Sequence, residues 1–335
     1  MAKGTIRGQG KPKDAVTALF WRDPDNFAEV FSKTALKGCN IDPHDLADED
    51  TSEETLLKVL DGAHITLKQI RDVVKSLKTG EKLIIMGIEN QDYIDYMMPF
   101  RVWALDFINV ARQISVIQNK HKNDKDISDP NEYVSGFKKD DRINGVVTLV
   151  IYYGEKPWDG PTKLSDMISD SPYKPFIADY PMYLLDVRRM PDDEINEFSD
   201  KIRPLFGFLK YEKTDKLVDY VNTNEDIFSD LPPETFDTLM EITHSPELER
   251  FGKEARTAKG GVNMCYGIQV YAQKYAREHA AEYAKSAVDE ATIKTFVETA
   301  QFYGQNLSAI IKDFKAKFNV SDEIAEEDVK KYWKQ

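Results

Sequence analysis

The sequence predicts an α/β protein built around one mixed sheet, followed by a region that is entirely helical. Up to about residue 190, apolar stretches with strand character alternate with helix-periodic stretches, which is the order typical of an α/β arrangement. Beyond Pro191 the strand patterns disappear and only helical periodicity remains. We therefore place a domain boundary near residue 190, dividing the chain into residues 1–190 and a helical region, 191–335.

The first elements are a helix and a hairpin. Residues 26–38, NFAEVFSKTALKG, carry apolar side chains three and four positions apart and end at a glycine, which predicts an amphipathic helix with a glycine stop. An acidic stretch, DLADEDTSEET, is interpreted as a loop. The apolar runs RDVVKSL and KLIIMGIENQ then flank the turn KTGE, and two such runs joined by a glycine-containing turn predict a β-hairpin.

A long helix and two strands complete the predicted sheet domain. Residues 95–120 are helix-periodic, with Pro99 early enough to lie near the helix start, and this helix should cover one face of the sheet. Residues 146–154, VVTLVIYYG, are β-branched and aromatic, which predicts a buried strand. After the loop EKPWDGPTKL and a short helix, YPMYLLDV at residues 180–187 predicts a further strand.

The composition favours an ordinary globular chain. Of its 335 residues 41% are hydrophobic, but no run approaches the roughly 18 apolar residues of a membrane span. The first residues have no apolar stretch that could act as a signal peptide, so a cytoplasmic location and no membrane contact are expected. The cysteines Cys39 and Cys265 have no partner at metal-ligand spacing, and the five histidines are scattered, which argues against a zinc site.

The net charge of −13 is unevenly distributed. Residues 190–335 hold 28 acidic and 19 basic side chains, a net charge of −9, which leaves −4 for the first 189 residues. Two basic segments stand out: the N-terminal arm, with Lys11 and Lys13, and the stretch NKHKNDK, with Lys120 and Lys122. Either segment could contact the phosphates of a nucleic acid. The alternative is that both are solvated, flexible segments.

A polar group marks the end of the second hairpin strand. Side chains alternate across a strand, so Glu89 and Gln91 point to one face while Asn90 points away. In an antiparallel hairpin, Asp72 at the start of the first strand becomes a neighbour of Glu89. Paired carboxylates are hard oxygen ligands that suit Mg²⁺ or Mn²⁺, and such an ion can activate water beside a phosphate. The alternative is that these residues form only the hydrated rim of a sheet.

Several blocks of the sequence resemble a known family. MGIENQDYIDYMMPFRVWALDFINVARQI, RDVVK, VVTLVIYYGEKPWDGP, RPLFGFLKY, GGVNMC and KKYW together resemble the recombination-promoting nuclease and transposase family, which is similar to the PD-(D/E)XK nuclease superfamily. The resemblance extends over nearly the whole chain. It implies a restriction-endonuclease-like fold for residues 1–190, with a mixed central sheet flanked by helices, and an Mg²⁺- or Mn²⁺-dependent endonuclease acting on double-stranded DNA in recombination or mobile-element biology.

The resemblance also implies roles for individual residues. Asp72 would be the metal-binding aspartate and Glu89 the second acidic ligand, while Gln91 stands where most PD-(D/E)XK enzymes have lysine. Glu29 is the candidate for the acidic residue that many relatives carry on their first helix; its alternative is a solvated helix carboxylate. Gln91 can orient a water but cannot supply the charge of lysine, so low activity is expected. A catalytically silent DNA-binding or protein-interaction module is the competing interpretation.

The helical region predicts a self-association surface. Between Asn263 and Tyr303, apolar side chains recur mostly three or four positions apart, which marks a stripe along one or two long helices. Cutting both strands of a duplex is simplest with two active sites related by a two-fold axis, so a homodimer through residues 263–335 is expected. The alternative is that the stripe packs within its own chain.

Overall fold

The computed structural model describes most of the chain, in the ranges 12–49, 72–79, 82–214, 216–244, 255–265, 267–268, 292–318 and 329–333, with residues 250, 252 and 326. The chain forms two compact units, residues 1–268 and residues 269–335. Among the helices of these described residues, none combines the length and the apolar character that crossing a membrane requires.

One five-stranded sheet organises the first unit, with its strands in sequence order across the sheet. The first two pairs of neighbours are antiparallel and the last two are parallel, so the predicted mixed sheet is confirmed. The predicted hairpin is also confirmed, because Thr79 pairs with Lys82 across its turn. The strands are β1, Leu46–Asp48; β2, Val73–Thr79; β3, Lys82–Gln91; β4, Gly145–Tyr152; and β5, Tyr183–Asp186.

Strand β1 lies at the beginning of the acidic stretch that the sequence pattern assigns to a loop. It pairs antiparallel with β2 and occupies one edge of the sheet. The edge strand carries the charged residue Asp48, whose carboxylate lies 2.5 Å from the ammonium of Lys75 on β2. The Lys75 side chain is only 3% exposed. The loop assignment of Leu46–Asp48 was therefore wrong. The strand was missed because three residues are too few to show the alternation of a strand.

Helix α3, Met98–Asp124, covers one face of the sheet, as predicted. Its buried side chains include Met98, Val102, Leu105 and Ile108, which recur three or four positions apart, and the first two pack against Val150 of β4. The helix ends in the left-handed residue Lys125, whose N–H donates to the carbonyl of His121. The basic stretch 119–125 is therefore the last part of this helix rather than a loop.

Two helices precede the sheet: α1, Pro12–Arg22, and α2, Pro24–Lys33. Helix α1 packs against β2 and β3 and includes Trp21, which is fully buried. The Asp23 carboxylate caps α2 by accepting hydrogen bonds from the first N–H groups of that helix. Helix α2 ends at Lys33, five residues before the predicted glycine stop, and α1, which follows the basic arm, was not predicted.

After β5 the described chain of the first unit forms helices and no further strand of the sheet, as the pattern predicts. Helix α6 packs against α9, and α9 packs against α1, so these helices belong to the same compact unit as the sheet. The division between compact units falls after Ile268; the assignment of residues 1–190 to a separate functional domain stays a prediction. Further α-helices of this unit are α4, Pro130–Ser135; α5, Asp192–Asn196; α6, Ile202–Tyr211; α7, Leu217–Thr223; α8, Glu225–Phe228; and α9, Pro233–Thr243.

The second unit contains α10, residues 292–302, and α11, Leu307–Phe318. Val297, Ile310, Phe314 and Val329 form its buried core. The stripe residues Ile293, Phe296 and Ala300 pack against this core, which corresponds to packing within the chain. Val297 of the core is itself a stripe residue, and Ile268, at the start of the stripe, is buried in the first unit. The stripe residues Tyr271, Tyr275, Ala276 and Tyr283 lie outside the described residues, and the homodimer stays a prediction.

Candidate functional site

The hairpin register places Asp72 beside the polar end of β3. Val73 pairs with Ile88, so one step further along the antiparallel ladder Asp72 falls opposite Glu89. In the parallel pair with β4, Glu89 is level with Val150 and Gln91 with Tyr152. Glu89 and Gln91 therefore share one face of the sheet, and Asn90 belongs to the other.

Glu89 lies against the first turn of α3. Its side chain is 1% exposed, and its Oε2 lies 3.0 Å from a terminal nitrogen of Arg101. The start of α3, which carries Arg101, is held on the sheet because Met98, Pro99 and Val102 are buried. The arginine of the MPFR block thus supplies a positive charge to the buried carboxylate, a contact that sequence reasoning missed.

Gln91 and Arg101 each contribute a buried polar atom that makes no hydrogen bond. These atoms are the amide oxygen Oε1 of Gln91, on a residue 5% exposed, and the Nε of Arg101. Burying a polar atom without a partner costs about 1–3 kcal/mol, and proteins keep few such atoms. An unsatisfied amide oxygen two positions from a buried carboxylate is the kind of defect that a bound ligand corrects.

A hydrogen-bonded chain leads from Asp72, opposite Glu89, through Asn90 to the other face of the sheet. The Asp72 carboxylate accepts from the backbone N–H of Asn90, at 2.7 Å, and from its amide nitrogen, at 3.1 Å. The Asn90 amide oxygen accepts from the Tyr153 hydroxyl at 3.0 Å, and that hydroxyl accepts from the Trp21 indole at 2.8 Å. Burial raises the pKa of Tyr153, so the phenol stays neutral. Asn90 thereby fixes the position of Asp72.

The YYG and PWDGP blocks form a wall at the carboxyl end of β4. Tyr152 donates to the carbonyl of Lys156 at 2.8 Å and contacts the Trp158 ring edge-on, with 5.2 Å between ring centroids. A Cβ on Gly154 would fall 2.1 Å from the Tyr152 hydroxyl, so only glycine fits there. The backbone N–H of Trp158 donates to the carboxylate of Asp186 at 3.3 Å. Asp186 pairs with Tyr152 across the parallel strands, and burial raises its pKa.

Asp186 therefore lies level with Gln91 at the carboxyl ends of the parallel strands, one strand beyond Tyr152. It is a partly buried acidic residue that sequence reasoning missed. Its position near the end of a predicted strand, like that of Glu89, was a signal that could have identified it.

The acidic and amide side chains at these strand ends could bind a metal ion only through oxygen atoms. Among the residues that the structure describes, no three His, Cys, Asp or Glu side chains lie together as a metal cluster. If a divalent ion bound here, as the resemblance implies, Glu89 and Asp72 would hold it, and the unsatisfied Gln91 oxygen could accept a hydrogen bond from a water. That donor set fits a hard cation such as Mg²⁺ in its chemistry.

Glu29 makes its described contacts elsewhere. Its carboxylate accepts from the Lys33 ammonium and from the backbone N–H of Ser199, both at 2.7 Å. These bonds connect α2 to the segment that precedes α6, so the side chain has a structural task. Its role as an acidic ligand stays a prediction.

The predicted DNA-contacting lysines fall into two groups. Lys120 and Lys122 are exposed on the last turns of α3. Lys11 and the side chain of Lys13 lie outside the described part of the structure. Between the two exposed lysines, His121 turns inward and bonds two carboxylates, Asp126 at 2.8 Å and Asp141 at 2.9 Å.

The fold and this polar group define an α/β protein with a mixed sheet and a buried acidic site at the end of its central hairpin. The chain belongs to the family described as "Putative transposase, YhgA-like", whose sequence model matches residues 66–235, about half of its length. The match includes Asp72, Glu89 and Gln91 but not Glu29. No curated protein and no solved structure matches the chain. Membership of this family confirms the resemblance and points to an association with mobile elements.

Proposed function

We propose that this protein is a divalent-metal-dependent DNA endonuclease with a restriction-endonuclease-like fold of the PD-(D/E)XK type. The observation that carries the proposal is the polar end of the hairpin, where the Gln91 oxygen is buried without a partner on the same face as the buried Glu89. Two further features support it: the mixed sheet flanked by helices, and the family membership.

Each residue of the site has a task in phosphodiester hydrolysis. When bound, Mg²⁺ or Mn²⁺ would lower the pKa of water and neutralise charge on the phosphate. Glu89 and Asp72 would hold the ion, and Asn90 keeps Asp72 in place through its two hydrogen bonds. The Gln91 amide would orient the attacking water. Attack of the water oxygen on phosphorus breaks one backbone P–O bond, and the departing oxygen takes up a proton.

Arg101 also favours the second candidate function, a catalytically silent module that binds DNA or protein. Its guanidinium already neutralises Glu89 at 3.0 Å, as a retained structural ion pair would. In such a module the buried pair would serve only the fold, and DNA binding would need no metal. The two candidates therefore differ in their dependence on Glu89 and on divalent ions.

Nicking of supercoiled plasmid, with and without Mg²⁺ or Mn²⁺, separates these functions. The wild type should nick only with metal. Glu89→Gln should nick at least about 100-fold more slowly, because the substitution keeps the shape of the side chain and removes the charge that holds the ion. Glu194→Gln is the matched control, since Glu194 is an exposed glutamate of α5. Circular dichroism verifies that each variant is folded.

The opposite results are equally clear. Nicking by Glu89→Gln at the rate of the wild type would remove Glu89 from the site. DNA binding without metal and without nicking by any of the proteins would favour the silent module.

A further inference from the structure

Arg101 is placed where a metal ion and a phosphate would both meet it. One terminal nitrogen lies 3.0 Å from Glu89, the other lies 4.0 Å from Asp95, and the side chain is 25% exposed. The Glu89 side chain is 1% exposed, so Arg101 is the more solvent-accessible partner of the ion pair. A cation bound to Glu89 would lie within a few ångströms of this positive charge.

The guanidinium is only partly held. Its Nε is buried and makes no hydrogen bond, and its contact with Asp95 is beyond hydrogen-bond distance. A guanidinium carries five N–H donors in a planar fork that matches the oxygens of a phosphate. The partial exposure of the side chain gives it a route from Glu89 toward solvent, where a DNA phosphate would be bound.

We propose that Arg101 is an exchangeable counter-ion of the active site. Without DNA it neutralises Glu89 and opposes the binding of a divalent ion. When DNA binds, a backbone phosphate takes over the guanidinium, and Glu89 becomes available to the metal. DNA and metal consequently bind with positive cooperativity, which linkage requires to be reciprocal.

This inference rests on the proposed function and adds a safeguard to it. The protein would hold its metal weakly until DNA is in place, so the charged site would be assembled on the substrate. Gln91 has no positive charge, unlike the lysine of most PD-(D/E)XK enzymes, and Arg101 on α3 is a source of that charge. Arg101 would supply that charge to the phosphate in the complex with DNA.

The test measures Mn²⁺ affinity by electron paramagnetic resonance or calorimetry, first without DNA. Arg101→Gln should bind Mn²⁺ about tenfold more tightly than the wild type, since the competing charge is removed. Arg112→Gln should match the wild type; Arg112 is exposed on the same helix, 11 residues or about 16 Å further along. Glu89→Gln should lose most of the Mn²⁺ affinity.

The second arm adds a duplex with non-cleavable phosphorothioate linkages. For the wild type the duplex should tighten Mn²⁺ binding about tenfold, and for Arg101→Gln this enhancement should disappear. Because this arm also uses the unaltered protein, it decides the matter even if Arg101→Gln does not fold. A wild type whose Mn²⁺ affinity is the same with and without the duplex overturns the proposal.

The outcomes distinguish the inference from the function on which it rests. If Glu89→Gln loses Mn²⁺ while Arg101→Gln binds it as the wild type does or more weakly, the metal site stands and the role of Arg101 is refuted. If Glu89→Gln binds Mn²⁺ as the wild type does, the ion is not at Glu89, and both proposals fall.

Discussion

The two faces of the end of β3 treat their polar residues in opposite ways. On one face, Asn90 donates to Asp72 and accepts from Tyr153, which in turn accepts from Trp21. On the other face, one residue further along the strand, the Gln91 amide oxygen is buried without a hydrogen-bond partner. Neighbouring positions of one strand thus differ in whether the fold itself provides a partner.

This difference teaches which side chains serve the fold and which serve a ligand. A hydrogen-bonded network stabilises and positions the residues it contains, whereas an unsatisfied buried atom lowers stability and is retained where it has another use. The Asn90 face should therefore respond to substitution through stability. The Gln91 face should respond through activity, and this contrast can be tested directly.

The largest expected effect is on the Gln91 face. Gln91→Met keeps the length of the side chain and removes the amide, so metal-dependent nicking should fall about 100-fold, while the free energy of unfolding should stay the same or rise because an unsatisfied oxygen is lost. Gln91→Lys should keep some activity, since it restores the residue of the wider superfamily. Plasmid nicking and urea unfolding measure the two properties.

The control for Gln91 is a satisfied polar residue on the same face. Thr148 donates to the buried Asp106 carboxylate at 2.6 Å, so Thr148→Val should cost about 1–3 kcal/mol and leave nicking by the folded protein close to that of the wild type. If Gln91→Met were destabilised to the same extent and nicked normally, the contrast between the two residues would be lost.

A smaller effect on activity and a clear effect on stability are expected on the Asn90 face. Tyr153→Phe removes the hydroxyl that joins Trp21 to Asn90, which should lower the free energy of unfolding by about 1–3 kcal/mol. Nicking should change less than about tenfold, because Asn90 keeps its own bonds to Asp72. Tyr133→Phe, at a tyrosine 77% exposed, should change neither. Loss of nicking without loss of stability would assign Tyr153 to the reaction instead.

The smallest effect is expected at the far end of α3, where polar side chains are again paired. The hydrogen bond that the Asp126 carboxylate accepts from the His121 ring raises the pKa of His121, and Asp141 acts in the same direction. A pKa raised by folding means that the imidazolium stabilises the protein fully below the unfolded value of about 6.5. That stabilisation is lost as the pH rises through the higher folded value.

Thermal unfolding between pH 6 and pH 9 detects this behaviour. The midpoint of the wild type should fall relative to that of His121→Gln as the pH rises through the folded pKa of His121. Asp126 and Asp141, whose pKa values are lowered in the fold, stay ionised across this range. His44→Gln, at an exposed histidine, should keep the pH dependence of the wild type. A wild-type profile parallel to that of His121→Gln would contradict the role of the imidazolium.

The sequence by itself determined the elements that depend on local patterns. Two apolar runs and a glycine-containing turn specified the β2–β3 hairpin, and the hairpin register alone placed Asp72 beside Glu89. Helical periodicity specified α3, and the β-branched run specified β4. The common face of Glu89 and Gln91 follows from the two-residue period of a strand, which requires no tertiary information.

Only the tertiary structure decided which partners these side chains meet. The MPFR block indicates where α3 begins, but the rotation and position of the helix on the sheet decide that Arg101 faces Glu89. In the same way, Trp21 and Tyr153 are 132 residues apart, and their hydrogen bond exists because α1 packs on the sheet face opposite Glu89. Such contacts depend on how whole elements pack, and a pattern of neighbouring residues carries no signal for them.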